Sequence, residues 1–204
     1  SYRANRDKVN ALIEIRKAYQ LVTGDKELRK RYSYIYGSYA SYCYDCNEFE
    51  EAIKACIEGL DTEPEYVDLY YLAAASHDAL GNKKAAIEWF KSFIEIADKF
   101  DQLAISKSQS TEMIFNGPNE MDTACLYIAN EAFDRQDYKT AYEYVKRVDD
   151  DERQMPLYIK VLLKLKKYEE LRDVYLNNLN KKDINKIIVE TIEAFRCRMT
   201  SEAS

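Results

Sequence analysis

Apolar residues return every three or four positions along most of the chain, the spacing that sets one stripe of a helix against a core. The first such stretch passes through Leu12, Ile13, Ile15 and Tyr19 and predicts a lone amphipathic helix over residues 5–22. The last begins at Asp183, a residue able to cap a helix, and carries Ile184, Ile187, Ile188, Ile192 and Phe195, predicting a helix over 183–198. Between them the pattern repeats itself. Asn47-Glu48-Phe49-Glu50-Glu51-Ala52-Ile53 is echoed by Gly81-Asn82-Lys83-Lys84-Ala85-Ala86-Ile87, and Ala86 follows Ala52 by 34 residues. Tyr36 then aligns with Tyr70, Ala40 with Ala74, Cys43 with His77 and Cys56 with Phe90. Alanines at 40, 52, 74 and 86 let paired helix backbones approach closely. The rings at 36, 70 and 90 fill the space between successive pairs.

A third copy reads Asp134-Arg135-Gln136-Asp137-Tyr138-Lys139-Thr140-Ala141-Tyr142, with Ala129 in the place of Ala40 and Ala141 in that of Ala52. Ala141 lies 55 residues past Ala86, so 21 residues have been inserted. A fourth, degenerate copy has Tyr168-Glu169-Glu170-Leu171, and Leu171 follows Ala141 by only 30 residues. The resulting organisation is a single helical-repeat domain over 1–204. Repeats span 33–66, 67–100, 122–150 and 152–180, with an insertion over 101–121. The insertion is expected to prolong the preceding helix through Leu103, Ala104 and Ile105, and then to loop through Asn116-Gly117-Pro118.

Tyr36, Tyr39-Ala40, Phe49, Ala52 and Pro64, together with Ala73-Ala74, Gly81 and Ala86, resemble the tetratricopeptide (TPR) consensus over roughly residues 30–176. The resemblance implies an all-α fold: a right-handed superhelix of antiparallel pairs, about eleven helices in all, with an insertion between repeats 2 and 3. It implies a protein-interaction or scaffolding module, and the fold alone names no partner. The inserted segment ending Met113-Ile114-Phe115-Asn116, followed by Ala124-Cys125-Leu126-Tyr127-Ile128-Ala129, is also similar to the C-terminal tails of bacterial family-2 glycosyltransferases. That second resemblance implies an accessory region whose catalytic domain is not in this chain, since no strand–helix alternation occurs here. The chain opens with Ser1 and not Met, which reads either as processing or as a piece of a longer protein.

Composition narrows the partners. Acidic residues number 36 against 30 basic ones, a formal net charge of −6, which disfavours nucleic acid and anionic membranes. No apolar run approaches the ~20 residues a membrane helix needs. Without a signal-peptide pattern, the five cysteines read as free thiols in a reducing compartment, and the expected location is cytoplasmic. Cys43-x-x-Cys46 lacks both the βαβ setting of a redox motif and a second ligand pair for zinc, so it reads as core filler. His77 is the only histidine and reads as a satisfied interior imidazole. Asp149-Asp150-Asp151-Glu152 reads as a solvated helix start. We therefore expect no catalytic residue, no metal and no cofactor.

Eighteen tyrosines are the unusual feature, six of them between Tyr32 and Tyr44. Helical phase places Tyr36 and Tyr39 in the core. It turns Tyr34, Ser41, Tyr44 and Asp45 toward the inner groove that the resemblance implies. Asp68, Tyr71, Ala75 and Asp78 occupy the corresponding slots of the second repeat, and Thr123, Leu126, Asn130, Phe133 and Asp134 those of the third. The groove so assembled is aromatic and acidic. It is either a wet surface of a tyrosine-rich protein or a site for an extended peptide or glycan-bearing partner, basic or rich in hydroxyls. Receptors of this family that clamp a C-terminal carboxylate use Lys, Arg and Asn. Gly37 and Ser41 stand at two such positions here, and only Asn130 fits.

Overall fold

A computed structural model describes residues 2–107 and 118–201. The described residues are overwhelmingly helical, with no strand among them. Eleven helices follow one another: α1 (Tyr2–Thr23), α2 (Lys26–Arg31), α3 (Tyr34–Asp45), α4 (Phe49–Thr62), α5 (Val67–Ala79), α6 (Lys83–Lys107), α7 (Pro118–Asp134), α8 (Tyr138–Val145), α9 (Asp151–Lys164), α10 (Tyr168–Asn177) and α11 (Lys182–Ser201). They form two compact units, residues 1–115 and 116–204, and the division falls inside the expected insertion. α6 does run on into that insertion, as far as Lys107. Residues 108–117, with Met113 to Asn116 and the Asn116-Gly117 bend, lie outside the described residues. So do the side chains of Leu103, Ala104, Ile105, Phe195 and Cys197.

One turn is used four times. Asn47, Gly81, Gln136 and Lys166 adopt left-handed φ angles of 63°, 75°, 64° and 57°. The next residue in each case, Glu48, Asn82, Asp137 or Lys167, donates its backbone N–H to the carbonyl five residues back. Those acceptors are Cys43, His77, Ala132 and Leu162, at 2.8, 2.8, 2.9 and 2.9 Å. This is the Schellman closure, which satisfies carbonyls left over at a helix end and reverses the chain within three residues. Only Gly81 takes the left-handed conformation without steric cost. The four turns are spaced 34, 55 and 30 residues apart, the same intervals that separate Ala52, Ala86, Ala141 and Leu171. The sequence repeat is thus a structural one.

In the first unit α3 packs on α4, α4 on α5, α5 on α6, and α1 covers α3. Ala40, Ala52, Ala74 and Ala86 are all fully buried, as are Tyr36 and Cys43. A Cβ at Gly59 would lie 2.6 Å from Leu69 Cδ1 and 2.8 Å from Tyr36 Cβ, so nothing larger than hydrogen fits there. α2 is an element that periodicity did not predict. It buries no residue; instead Asp25 caps it, accepting from the N–H groups of Glu27 (2.8 Å) and Leu28 (3.1 Å), and Arg29, Lys30 and Arg31 sit at its negative end.

In the second unit α7 packs on α8, α8 on α9, α9 on α10, and both α7 and α11 lie against α9. The shortened interval has a visible cause. α8 spans only 8 residues, and the connection to α9 is pulled in by two side chains. Buried Asp122 accepts from the backbone N–H groups of Asp149 (2.9 Å) and Asp150 (3.0 Å). Gln154 Nε2 donates to the carbonyls of Val145 and Val148, each at 3.0 Å. The acidic run does start a helix: Asp150 caps α9, accepting from Glu152 and Arg153. Ala129 and Ala141 are fully buried, whereas Leu171 is only half-buried and α10 buries no residue completely.

Candidate functional site

Each unit carries part of the set that helical phase singles out. In the first unit Tyr34 opens α3 with 56% of its surface exposed, its ring edge-on to Tyr32 at 6.2 Å. Ser41 and Asp78 are exposed and Asp68 is half-buried. Tyr44 and Tyr71 lean further inward than their phase suggests. Tyr44 meets Phe49 of α4 edge-on at 5.5 Å, and Tyr71 meets Phe90 and Phe93 of α6 at 5.7 and 5.3 Å. Asp45 is exposed and held by Lys8 of α1 at 3.0 Å. These residues therefore present partial ring faces and carboxylates.

In the second unit three of the five groove residues come together, while the Thr123 hydroxyl accepts from Arg153 at 2.8 Å and Leu126 packs against the core. Asn130, Phe133 and Asp134, at the end of α7, line an open pocket of about 700 Å³ with Tyr138 of α8, Pro156, Leu157, Lys160 and Lys164 of α9, and Ile187, Glu190, Thr191 and Ala194 of α11. Its floor is apolar, built on the Phe133–Tyr138 contact (centroids 5.3 Å apart). Lys164 stands over the Tyr138 ring at 5.9 Å. Asp134 and Glu190 are offset by Lys160 and Lys164, so the walls here carry both signs rather than the acidic surplus expected. Asn130 spends its Nδ2 on the Leu126 carbonyl at 2.8 Å.

Two polar clusters were missed in the sequence, and both join a tyrosine to a glutamate twelve residues later. In the first, Tyr39 donates to Glu51 Oε1 at 3.1 Å while Arg16 Nε donates to the Tyr39 hydroxyl at 3.1 Å. Arg16 also pairs with Glu48, and Tyr19, stacked on Tyr39 at 4.1 Å, donates to Glu58 at 2.7 Å. These groups line an open pocket of about 590 Å³ with Arg29 and Lys54. Burial pushes the Tyr19 and Tyr39 hydroxyls well above their ordinary range, so both act as donors. In the second cluster, Tyr158 (2.6 Å) and Tyr142 (2.8 Å) donate to Glu170, and Lys167 lies 3.3 Å away. Burial alone would raise the Glu170 carboxyl, but the Tyr158, Tyr142 and Lys167 donors outweigh it and hold the group at about 2. The matching strings Glu50-Glu51-Ala52 and Glu169-Glu170-Leu171 were the available signal.

The remaining candidates resolve as packing. Cys43 is fully buried and its thiol pushed up to about 11 by desolvation, which leaves little nucleophilic thiolate. His77 departs from expectation. It stacks on Trp89 at 6.5 Å, yet its Nδ1 is buried with no hydrogen-bond partner, and burial lowers its basicity. Among the described residues no group of three or more His, Cys, Asp or Glu could hold a metal ion. No described helix is long and apolar enough to cross a membrane. No protein-family model matches the chain, and no curated protein matches it in sequence.

Proposed function

We propose that the chain is a tetratricopeptide-like interaction module whose helix pairs hold a peptide segment of a partner protein on the face made by the first helix of each pair. In the second unit those helices are α7, α9 and α11. The observation that supports this reading is the pocket itself. Asn130, Phe133 and Asp134, assigned to the groove by helical phase and the tetratricopeptide resemblance, share one cavity with side chains from two further helices of the same kind. An apolar floor with a few charged groups at its walls suits an anchored side chain flanked by polar contacts. Asp134 and Glu190 would take a basic group on the partner, and Lys160 an acidic one. The tyrosine–glutamate clusters serve this role indirectly, by fixing how neighbouring helices sit.

The test is a random-peptide display selection on the immobilised full chain, with enriched peptides remeasured by fluorescence anisotropy. Phe133→Ala should weaken them about 10-fold or more, since a ring at the centre of such a site carries a large share of binding energy. Lys160→Glu should shift preference away from acidic peptides. Peptides that bind both variants as tightly as the original chain, with helicity retained, refute the assignment.

A further inference from the structure

α1 is amphipathic twice over. One face buries Leu12, Tyr19 and Val22 in the core of the first unit. The opposite face carries Val9, Ile13 and Leu21, which keep 48%, 46% and 71% of their surface exposed. Val9, Ile13, Lys17 and Leu21 follow one another at intervals of four, and a row at that spacing forms a ridge on a helix, here apolar except at Lys17. Scattered apolar residues on a surface need no explanation, but an aligned ridge on a helix of 22 residues, about 33 Å long, offers a strip for another helix.

The charges beside the ridge say which helix. Glu14 and Lys17 both project to solvent, joined at 2.7 Å. Read in reverse, the order Glu-then-Lys becomes Lys-then-Glu. Two copies of α1 laid antiparallel therefore set Glu14 of each near Lys17 of the other, and Val9 of each near Leu21 of the other. A parallel arrangement would bring Glu14 against Glu14. The same two-fold relation is the commonest symmetry of protein dimers, because one self-complementary patch suffices. We propose that the exposed face of α1 is a homodimer interface, in which the Val9–Ile13–Leu21 ridges of two copies of this chain pack antiparallel and their Glu14 and Lys17 side chains exchange partners.

Sedimentation velocity of the full chain over about 1–200 µM should show a reversible monomer–dimer equilibrium, as befits one helix-pair contact. Ile13→Glu and Leu21→Glu should each leave a monomer with an unchanged thermal melt; the second stands in should the first unfold. Glu14→Lys or Lys17→Glu alone should weaken the dimer by about fivefold. The double exchange Glu14→Lys with Lys17→Glu should restore it. A wild-type chain that stays monomeric throughout overturns the proposal. So does a dimer indifferent to Ile13→Glu and Leu21→Glu, or one that the double exchange fails to rescue.

Discussion

Replacing Glu170 with glutamine keeps the side chain's shape and removes the charge that Tyr142, Tyr158 and Lys167 converge on. A carboxyl held at about 2 against an ordinary 4.5 is stabilised by about 3 kcal/mol relative to its protonated form. The side chain keeps 28% of its surface exposed, so solvent screening brings the expected cost of Glu170→Gln to about 2 kcal/mol at about pH 7. The direction with pH follows from linkage. Because the folded-state value is depressed, the stabilisation is fully present above the ordinary value and is lost as pH falls from about 4.5 to about 2. Urea unfolding followed by far-UV circular dichroism, run on both proteins from about pH 7 to about pH 3, should show the gap shrinking to less than half. A gap that stays constant over that range, or a neutral substitution at about pH 7, refutes the reasoning.

Ala86→Leu should cost about 1–3 kcal/mol by overpacking the α5–α6 crossing, where Ala86 is fully buried; a neutral result in chemical denaturation would place the repeat register elsewhere. Asp122→Ala should cost about 2–3 kcal/mol, because it strands the N–H groups of Asp149 and Asp150. Hydrogen exchange should then speed up at those two amides first, and unchanged protection there would contradict the assigned role.

The repeats were legible because their marks are local. A small residue where helices cross and a left-handed turn after the first helix both leave traces at fixed intervals, even where the turn residue is Asn47, Gln136 or Lys166 rather than glycine. α2 was not legible: a six-residue helix held by its cap and last-turn charges buries nothing, so it has no periodicity to read. Tyr44 and Tyr71 show the limit of helical phase. It gives a direction, while burial depends on the rings a neighbouring helix supplies, here Phe49, Phe90 and Phe93. Lys160 and Lys164 escaped notice for a related reason. The fourth repeat was aligned through Leu171 on α10, which says little about what α9 turns toward Phe133. The Arg16–Tyr39 and Tyr19–Glu58 bonds join residues 23 and 39 positions apart, a pairing that only docking of α1 can reveal.

The three-residue turn has a kinetic consequence. Because it sends each helix straight back along the one before, nearly every packing partner lies within two elements along the chain, as α1 does with α3 and α9 with α11. Few long loops must close before contacts begin to reward the chain, and topologies of that kind fold quickly. Stability then accrues by neighbours rather than all at once. Heating should fray α2 and α10, the elements that bury no residue, while α3 to α5 still hold. A helix pair could also be added or lost in evolution without recasting the rest.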